Sequence, residues 1–226
     1  MEKIAGVELQ DEHNFMYKFD KTYEIADGRE VYNFSAGPCQ LPKAVLDVAA
    51  SEMLNYRGSG QSVFELSHRQ DEFRFISDHT KEEIRKFLNV PDNFKILLQQ
   101  GGATMQYTAI AKNLAGLKPK RIAMLNRTGM WSNQNINEMK KFCDVHIVTD
   151  AVEEHDCTTV SPTDTWDINP DASFYCICTN ETVNGIELDW EDFPFEKVPK
   201  DIPIIADMSS NIGTNNIPWE KMGMVY

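Results

Sequence analysis

The sequence predicts an α/β fold in which helices flank a mainly parallel sheet. Short apolar runs alternate with helical stretches over residues 94–148, and two more apolar runs follow a polar connection. The chain has 226 residues and is 42% hydrophobic, which suffices for one sizeable core or two small ones. Alternation of this kind is typical of a parallel sheet, because each parallel strand needs a long crossover before the next.

The first 30 residues are predicted to form an N-terminal extension or tail. They carry many charges and show no sustained hydrophobic period. We expect the folded part to run over residues 31–226. Its first two helices are predicted after Pro42, where apolar residues recur at helical spacing, and over residues 71–88.

The remaining elements are predicted from the alternation itself. Periodic stretches predict helices at about 105–117 and 131–142. Residues 150–171 are polar, contain two prolines and predict a long connection. Apolar runs predict strands over 94–98, 122–125, 145–148, 174–178 and 202–206.

Charge and cysteine content exclude several classes of function. The formal net charge is -13, whereas nucleic-acid binding relies on a surplus of Lys and Arg. The N-terminal residues carry charges where a signal peptide is apolar, and no eighteen apolar residues run together. The five cysteines fit neither a disulfide framework nor a zinc site, and we expect reduced core residues. We therefore expect a soluble, cytoplasmic protein with no nucleic acid, membrane or metal partner.

Two glycines follow the first predicted strand and open a helix. Gly101 and Gly102 let the backbone come close to a ligand, and the helix N-terminus offers free N–H groups and the positive end of its dipole. This arrangement suits a phosphate, but an ordinary strand-to-helix turn has the same sequence. The patterns G-x-x-x-x-G-K and G-x-G-x-x-G are absent, which argues against nucleoside triphosphates and dinucleotides.

Three further side chains follow predicted strands, where open α/β sheets bind their ligands. Trp131 can stack on a planar ring or belong to the core. Thr182 can donate to a ring substituent or bond the local backbone. Asp207 ends a buried run, where a carboxylate can pair with a protonated ring nitrogen or cap a helix. A phosphate cradle, a stacking surface, a hydroxyl and an acid together match the needs of pyridoxal 5'-phosphate (PLP), which serves as an electron sink.

Six short motifs occur in one order along the chain: NFSAGP (33–38), SHR (67–69), QGGAT (100–104), TGMWS (128–132), NETVNG (180–185) and ADMSSN (206–211). They closely resemble the phosphoserine aminotransferase family, which are class V, fold type I PLP enzymes. The resemblance runs from about residue 31 to residue 226 and implies part of the PLP-binding large domain. It covers the N-terminal part of the family's length, so we expect a C-terminally truncated chain without the small domain.

The resemblance implies a role for each cofactor-binding position. Backbone at Ala103 and Thr104 would hold the phosphate of PLP. Trp131 would stack on the ring, Thr182 would bond the ring hydroxyl, and Asp207 would pair with the pyridine nitrogen.

The resemblance also implies two substrate-binding residues. Arg69 would bind the carboxylate of the amino-acid substrate, and His68 would help to hold the substrate phosphate. Taken without the resemblance, the pair His68-Arg69 is interpreted as a basic, solvated surface.

The chain departs from the family pattern in two places. Met105 stands where the family usually has a small residue, often Gly, and we expect it to crowd the first turn of the phosphate-binding helix. The Ala-Gly-Ala-Gln-Lys-Asn segment, which carries the family's Schiff-base lysine, is absent from the 226 residues, so no catalytic residue is assigned. Lys221, the only lysine after Asp207, lies where the family has a surface helix or loop, and we do not expect it to substitute.

Three hypotheses for the function follow. The leading one is PLP-dependent amino transfer between glutamate and 3-phosphohydroxypyruvate, a phosphorylated 2-oxo acid, in serine biosynthesis. The full-length form would be a homodimer, and this chain alone would be inactive for lack of the lysine. The alternative is a non-catalytic relative that binds PLP or a partner. A different fold type I enzyme, such as a cysteine desulfurase, would need another substrate arginine, and the SHR and NET motifs favour the first hypothesis.

Overall fold

The computed structural model describes residues 3–4, 7–8, 32–35 and 37–226. The chain divides into two units, Met1–Gln40 and Leu41–Tyr226. In the first unit, strands β1 (Lys3–Ile4) and β2 (Val7–Glu8) form an antiparallel pair. Apart from these two strands, the extension predicted over residues 1–30 lies outside the described residues.

The second unit alternates helices and strands from α3 to β5, as predicted, except that the short helix α5 lies within the connection predicted over residues 150–171. Its helices are α1 (Lys43–Glu52), α2 (Asp71–Phe87), α3 (Gly102–Leu114), α4 (Met130–Met139) and α5 (Ala151–His155). Its strands are β3 (Ile122–Arg127), β4 (Asp144–Asp150), β5 (Phe174–Cys178), β6 (Asn180–Glu181), β7 (Ile186–Glu187), β8 (Ile204–Asp207) and β9 (Met222–Val225).

Five of these strands form one parallel sheet in the order β4-β3-β5-β8-β9. Strands β6 and β7 form a separate antiparallel hairpin just beyond the end of β5. All residues of β5 are buried, as expected for a central parallel strand that is covered on both faces. The predicted α/β fold with a mainly parallel sheet is confirmed.

Alternate residues of β5 serve the two faces of the sheet. Phe174 and Cys176 pack in the cluster that contains residues of α3 and α4. Tyr175 and Ile177 pack on the other side, with Phe193 and other residues of the long connections. Helices α3 and α4 therefore cover one face of the sheet.

One predicted strand is absent from the sheet, and one observed strand was not predicted. Residues 94–98 form no strand: Phe94 packs on Trp219 with ring centroids 5.1 Å apart, while Leu97 and Leu98 are 69% and 55% exposed. No strand among the described residues pairs with this run, and an apolar run forms a strand only beside a neighbour that satisfies its backbone groups. Conversely, β9 was not predicted, whereas the 3-10 turn Trp219–Lys221 before it agrees with the surface helix or loop expected around Lys221.

The prediction that the cysteines are reduced core residues is confirmed for some of them. All five are free, and Cys176 and Cys178 are buried. Cys143 and Cys157 are half-buried, whereas Cys39 is exposed and contradicts the expectation of a core residue. Within the described ranges, no helix is long and apolar enough to cross a membrane.

Candidate active site

The carboxyl ends of β3, β5 and β8 place most of the predicted site residues at one edge of the sheet. The three strands are parallel neighbours, so their ends meet at this edge. Trp131 lies in the first turn of α4, which follows β3; Thr182 follows β6, the short strand after β5; and Asp207 is the last residue of β8. Helix α3 begins at Gly102, and one of its side chains reaches Asp207, as described below.

The N-terminus of α3 has free hydrogen-bond donors. The helix has no side-chain cap, and within the described part of the chain the N–H groups of Gly102, Ala103 and Thr104 have no acceptor. The first bonded group is Met105, whose N–H lies 3.2 Å from the Gly101 carbonyl oxygen. Three donors without an acceptor at the positive end of a helix dipole suit an anion.

Met105 packs against the turn that precedes α3. Gly101 has a φ of +100°, and a Cβ added there would lie 2.2 Å from Cγ of Met105. Met105 therefore crowds Gly101 rather than the helix. Position 101 requires glycine because of its positive φ and because a Cβ there would clash with Met105. The Met105 residue itself is 55% exposed.

The N-terminus of α4, by contrast, is capped by the hairpin β6–β7. Glu181 is fully buried, and its carboxylate accepts the N–H groups of Trp131 and Ser132 at 2.8 Å each. Oδ1 of Asn184 accepts the N–H of Met130 at 2.9 Å. The hairpin thus satisfies the orphan donors of α4, and this helix end is closed to a ligand.

Gly129 makes this cap possible. A Cβ added to it would lie 2.4 Å from Oδ1 of Asn184 and 2.9 Å from Oε2 of Glu181. Any other residue would push the hairpin away from α4.

Trp131 and Thr182 are joined directly. The indole Nε1–H of Trp131 donates to the Thr182 hydroxyl at 2.8 Å. Trp131 is only partly buried and belongs to neither core cluster, so its interpretation as a core residue is wrong. Thr182 is exposed and accepts from a side chain, so its hydroxyl proton remains available to a ligand.

Asp207 keeps one carboxylate oxygen nearly open. The residue is 6% exposed. Its Oδ1 accepts the backbone N–H of Ser209 at 3.1 Å and the Ser209 hydroxyl at 2.6 Å, a local turn with no α-helix behind it in the described chain. Its Oδ2 has one long contact, with the Tyr107 hydroxyl at 3.3 Å. Burial and the charge of Asp207 raise the pKa of Tyr107, so this hydroxyl is the donor.

Contacts between neighbouring elements close a ring around this edge. Gln134 of α4 lies 3.5 Å from the Thr104 hydroxyl at the start of α3. The Thr179 hydroxyl, at the end of β5, lies 2.9 Å from the carbonyl oxygen of Asp207. Together with the Trp131–Thr182 and Tyr107–Asp207 contacts, they place Thr104, Trp131, Thr182 and Asp207 in linked elements. Ala103 precedes Thr104 in the first turn of α3.

His68 and Arg69 are not part of that ring. Both are exposed, in the turn between the 3-10 turn Val63–Glu65 and α2. No hydrogen bond or ion pair within the described ranges ties either side chain to the site. As free basic side chains on a solvated turn, they match their interpretation from the sequence alone.

Lys221 lies at the amino-terminal end of the strands, opposite the carboxyl ends that carry the candidate site. It ends the turn before β9, and the first residue of β9, Met222, is in register with Ile204, the first residue of β8. Asp207 ends β8, three residues of extended chain or about 10 Å further along. Lys221 is therefore on the wrong side of the sheet to serve the site.

Two site residues were missed from the sequence. Glu181 stands in the quoted NETVNG motif, just after a buried run, and the signal that singled out Asp207 could have found it. Tyr107 lies within α3, among other apolar and polar residues, and only the packing of α3 against the sheet brings its hydroxyl to Asp207.

Comparison with known proteins identifies the family. The class-V aminotransferase family model matches residues 31–226. The chain belongs to the class-V aminotransferase family. Phosphoserine aminotransferase of Janthinobacterium sp. is 45% identical to this class-V aminotransferase chain over 200 residues, or 88% of the chain and 53% of the relative. The Drosophila melanogaster enzyme of the same name is 40% identical over 196 residues, 87% of the chain and 52% of the relative.

A solved structure agrees with the class-V assignment. The crystal structure of PLP-bound phosphoserine aminotransferase from Trichomonas vaginalis matches with a TM-score of 0.76 at 38% identity, over 86% of this chain and 52% of that one. The class-V aminotransferase chain thus spans about half the length of the relatives it matches.

Proposed function

We propose that this chain forms the cofactor-binding part of a phosphoserine aminotransferase, which transfers an amino group between glutamate and 3-phosphohydroxypyruvate for serine biosynthesis. The observation that carries the proposal is the contrast between two helix ends at one sheet edge. The N-terminus of α4 is capped by Glu181, whereas that of α3 keeps free donors beside a buried carboxylate with an open oxygen.

The residues at this edge fit PLP. The N–H groups at Ala103 and Thr104 would hold its phosphate, and Trp131 would cover a face of its ring. Thr182 would donate its free hydroxyl proton to the ring oxygen, and Asp207 Oδ2 would accept the N–H of the ring nitrogen. PLP, when bound, supplies an electron sink for reactions at the substrate α-carbon.

The two basic residues outside the ring would serve the substrate. The two substrates carry carboxylates, and the phosphorylated one also carries a phosphate. Arg69 suits the carboxylate, because its guanidinium can bond both oxygens, and His68 would help to hold the phosphate. Both are exposed and free to turn toward a substrate.

Proton transfer at the substrate needs a base that these described residues do not supply. The family's Ala-Gly-Ala-Gln-Lys-Asn segment is absent from the 226 residues, and Lys221 lies at the far edge of the sheet. The resemblance assigns this role to a lysine in a segment beyond the sequence given. For the 226-residue chain alone we therefore expect PLP binding without turnover.

A homodimeric assembly and a cytoplasmic location complete the proposal. The exposed apolar residues of α1 support the first, since Val45 and Val48 are 50% and 57% exposed. The cytoplasmic location rests on the proposed role in serine biosynthesis.

The second candidate is a non-catalytic relative that binds PLP without chemistry, since the free donors of α3 and the open oxygen of Asp207 would serve binding alone equally well. Sequencing the transcript beyond codon 226 distinguishes the two. A downstream lysine segment, with phosphoserine formed in a coupled assay of the encoded protein, is the result we expect. A stop codon at that point would favour the second candidate, and a full-length protein without phosphoserine formation would contradict the first.

A further inference from the structure

The two carboxylate oxygens of Asp207 differ in their surroundings. Oδ1 accepts two bonds from Ser209, at 2.6 and 3.1 Å. Oδ2 accepts one bond, from the Tyr107 hydroxyl at 3.3 Å, which is long for an O–H···O contact. Oδ2 is therefore the oxygen with capacity left for another donor.

Tyr107 reaches this oxygen from the helix that begins the site. It lies on α3, five residues after the helix start, and is 2% exposed. Its ring packs edge-on against Tyr226, with centroids 6.4 Å apart. The helix whose first N–H groups are free thus also directs a hydroxyl to Asp207.

We propose that Tyr107 is a positioning residue that shares Oδ2 of Asp207 with the cofactor ring nitrogen and so weakens their pairing. The inference rests on the proposed PLP site. An oxygen that already accepts one hydrogen bond has less charge to offer a second donor. The Tyr107 hydroxyl is therefore a built-in competitor for the ring nitrogen.

The contacts of Ser209 determine whether loss of the Tyr107 hydroxyl strengthens or weakens PLP binding. Its two bonds to Oδ1 hold the carboxylate in place without help from Tyr107, so loss of the Tyr107 hydroxyl does not free Asp207 to rotate. The hydroxyl keeps its proton, because burial and the nearby charge of Asp207 raise the pKa of Tyr107. Removing the Tyr107 hydroxyl therefore removes only its competition with the ring nitrogen for Oδ2 of Asp207.

The test is Tyr107→Phe, which keeps the ring and its packing on Tyr226. Binding of PLP, and of a PLP analogue in which C–H replaces the ring nitrogen, is titrated for the parent chain and the variant. We expect PLP to bind about threefold more tightly to the variant, at the low end of the range for one hydrogen bond because the contact is long. The analogue should bind both proteins equally.

Tyr175→Phe is the matched control. It removes another buried tyrosine hydroxyl, which bonds Asn126 at 2.5 Å, and should change neither affinity. Equal shifts for PLP and the analogue would show a purely structural role and overturn the inference, as would unchanged or weaker PLP binding by Tyr107→Phe. A parent chain that binds no PLP would overturn the proposed function itself, and the inference with it.

Discussion

The buried carboxylates of Glu181 and Asp207 have different roles because their hydrogen-bond partners differ. Glu181 accepts two backbone N–H groups at 2.8 Å and is fully buried. Asp207 is bonded on one oxygen and nearly open on the other. The first carboxylate closes a helix end and fixes Trp131, and the second is left able to bind a ligand.

Glu181→Gln should destabilise the protein. An amide can present only one oxygen, so its NH2 group would face an N–H donor of α4 and leave it unsatisfied. We expect a loss of about 1–3 kcal/mol in the free energy of unfolding, measured as a lower urea midpoint with an unchanged slope. Glu191→Gln, at an exposed position, should stay within about 0.5 kcal/mol. Equal midpoints for the two variants would refute the capping role.

At the residue scale, the sequence predicted the position of Asp207 at the end of a buried strand, and its pairing with a ring nitrogen stays a prediction. Asp207 could be singled out because an acid at the end of a buried run needs a partner. The Trp131–Thr182 bond could not be predicted, because it joins residues 51 positions apart across α4 and a hairpin. Tyr107 was missed for the same reason, since its partner is 100 positions away.

At the scale of elements, the turn into α3 depends on Gly101. Its φ of +100° and the 2.2 Å approach of Met105 Cγ to an added Cβ exclude a side chain. Gly101→Ala should therefore cost about 1–3 kcal/mol of stability and disturb the free donors of α3. Differential scanning calorimetry should show a lower Tm.

Gly116→Ala is the control for this element. An added Cβ there meets only Nη1 of Arg121, at 3.9 Å. It should be neutral or slightly stabilising, because alanine loses less backbone entropy on folding. If both alanine variants melt at the parent temperature, the turn is not constrained as described.

The pattern of apolar runs predicted strands well where the strand has neighbours. β5 was predicted to the residue, because it is central and buried on both faces. Residues 94–98 are also a mainly apolar run, yet no strand pairs with them in the described chain and Leu97 stays exposed. β9 was missed because Gly223 and its flanking methionines give no strong strand pattern, and pairing with β8 decides its conformation.

At the scale of the whole molecule, apolar surface remains exposed. Helix α1 has no buried residue, and β9 forms an edge of the sheet. Exposed apolar faces and open strand edges favour association. We expect the 226-residue chain to self-associate in sedimentation velocity runs.

A change of one α1 residue tests this expectation. Val48 is 57% exposed, and Val48→Lys should shift the distribution toward monomer, since a charge opposes burial of that face. Ser51→Lys, at an exposed polar position of the same helix, should shift it less. A monomeric parent chain would show that these surfaces do not drive association.

The central claim is that the ends of β3, β5 and β8 form a PLP site in which Asp207 pairs with the ring nitrogen. The most direct measurement is a titration of the 226-residue chain and its Asp207→Asn variant with PLP, followed by dialysis. We expect one saturable site in the parent, emptied by dialysis, and binding at least about tenfold weaker in the variant, since a charge-assisted bond is replaced by a neutral one. Absence of saturable binding, or equal affinity of the two proteins, would contradict the claim.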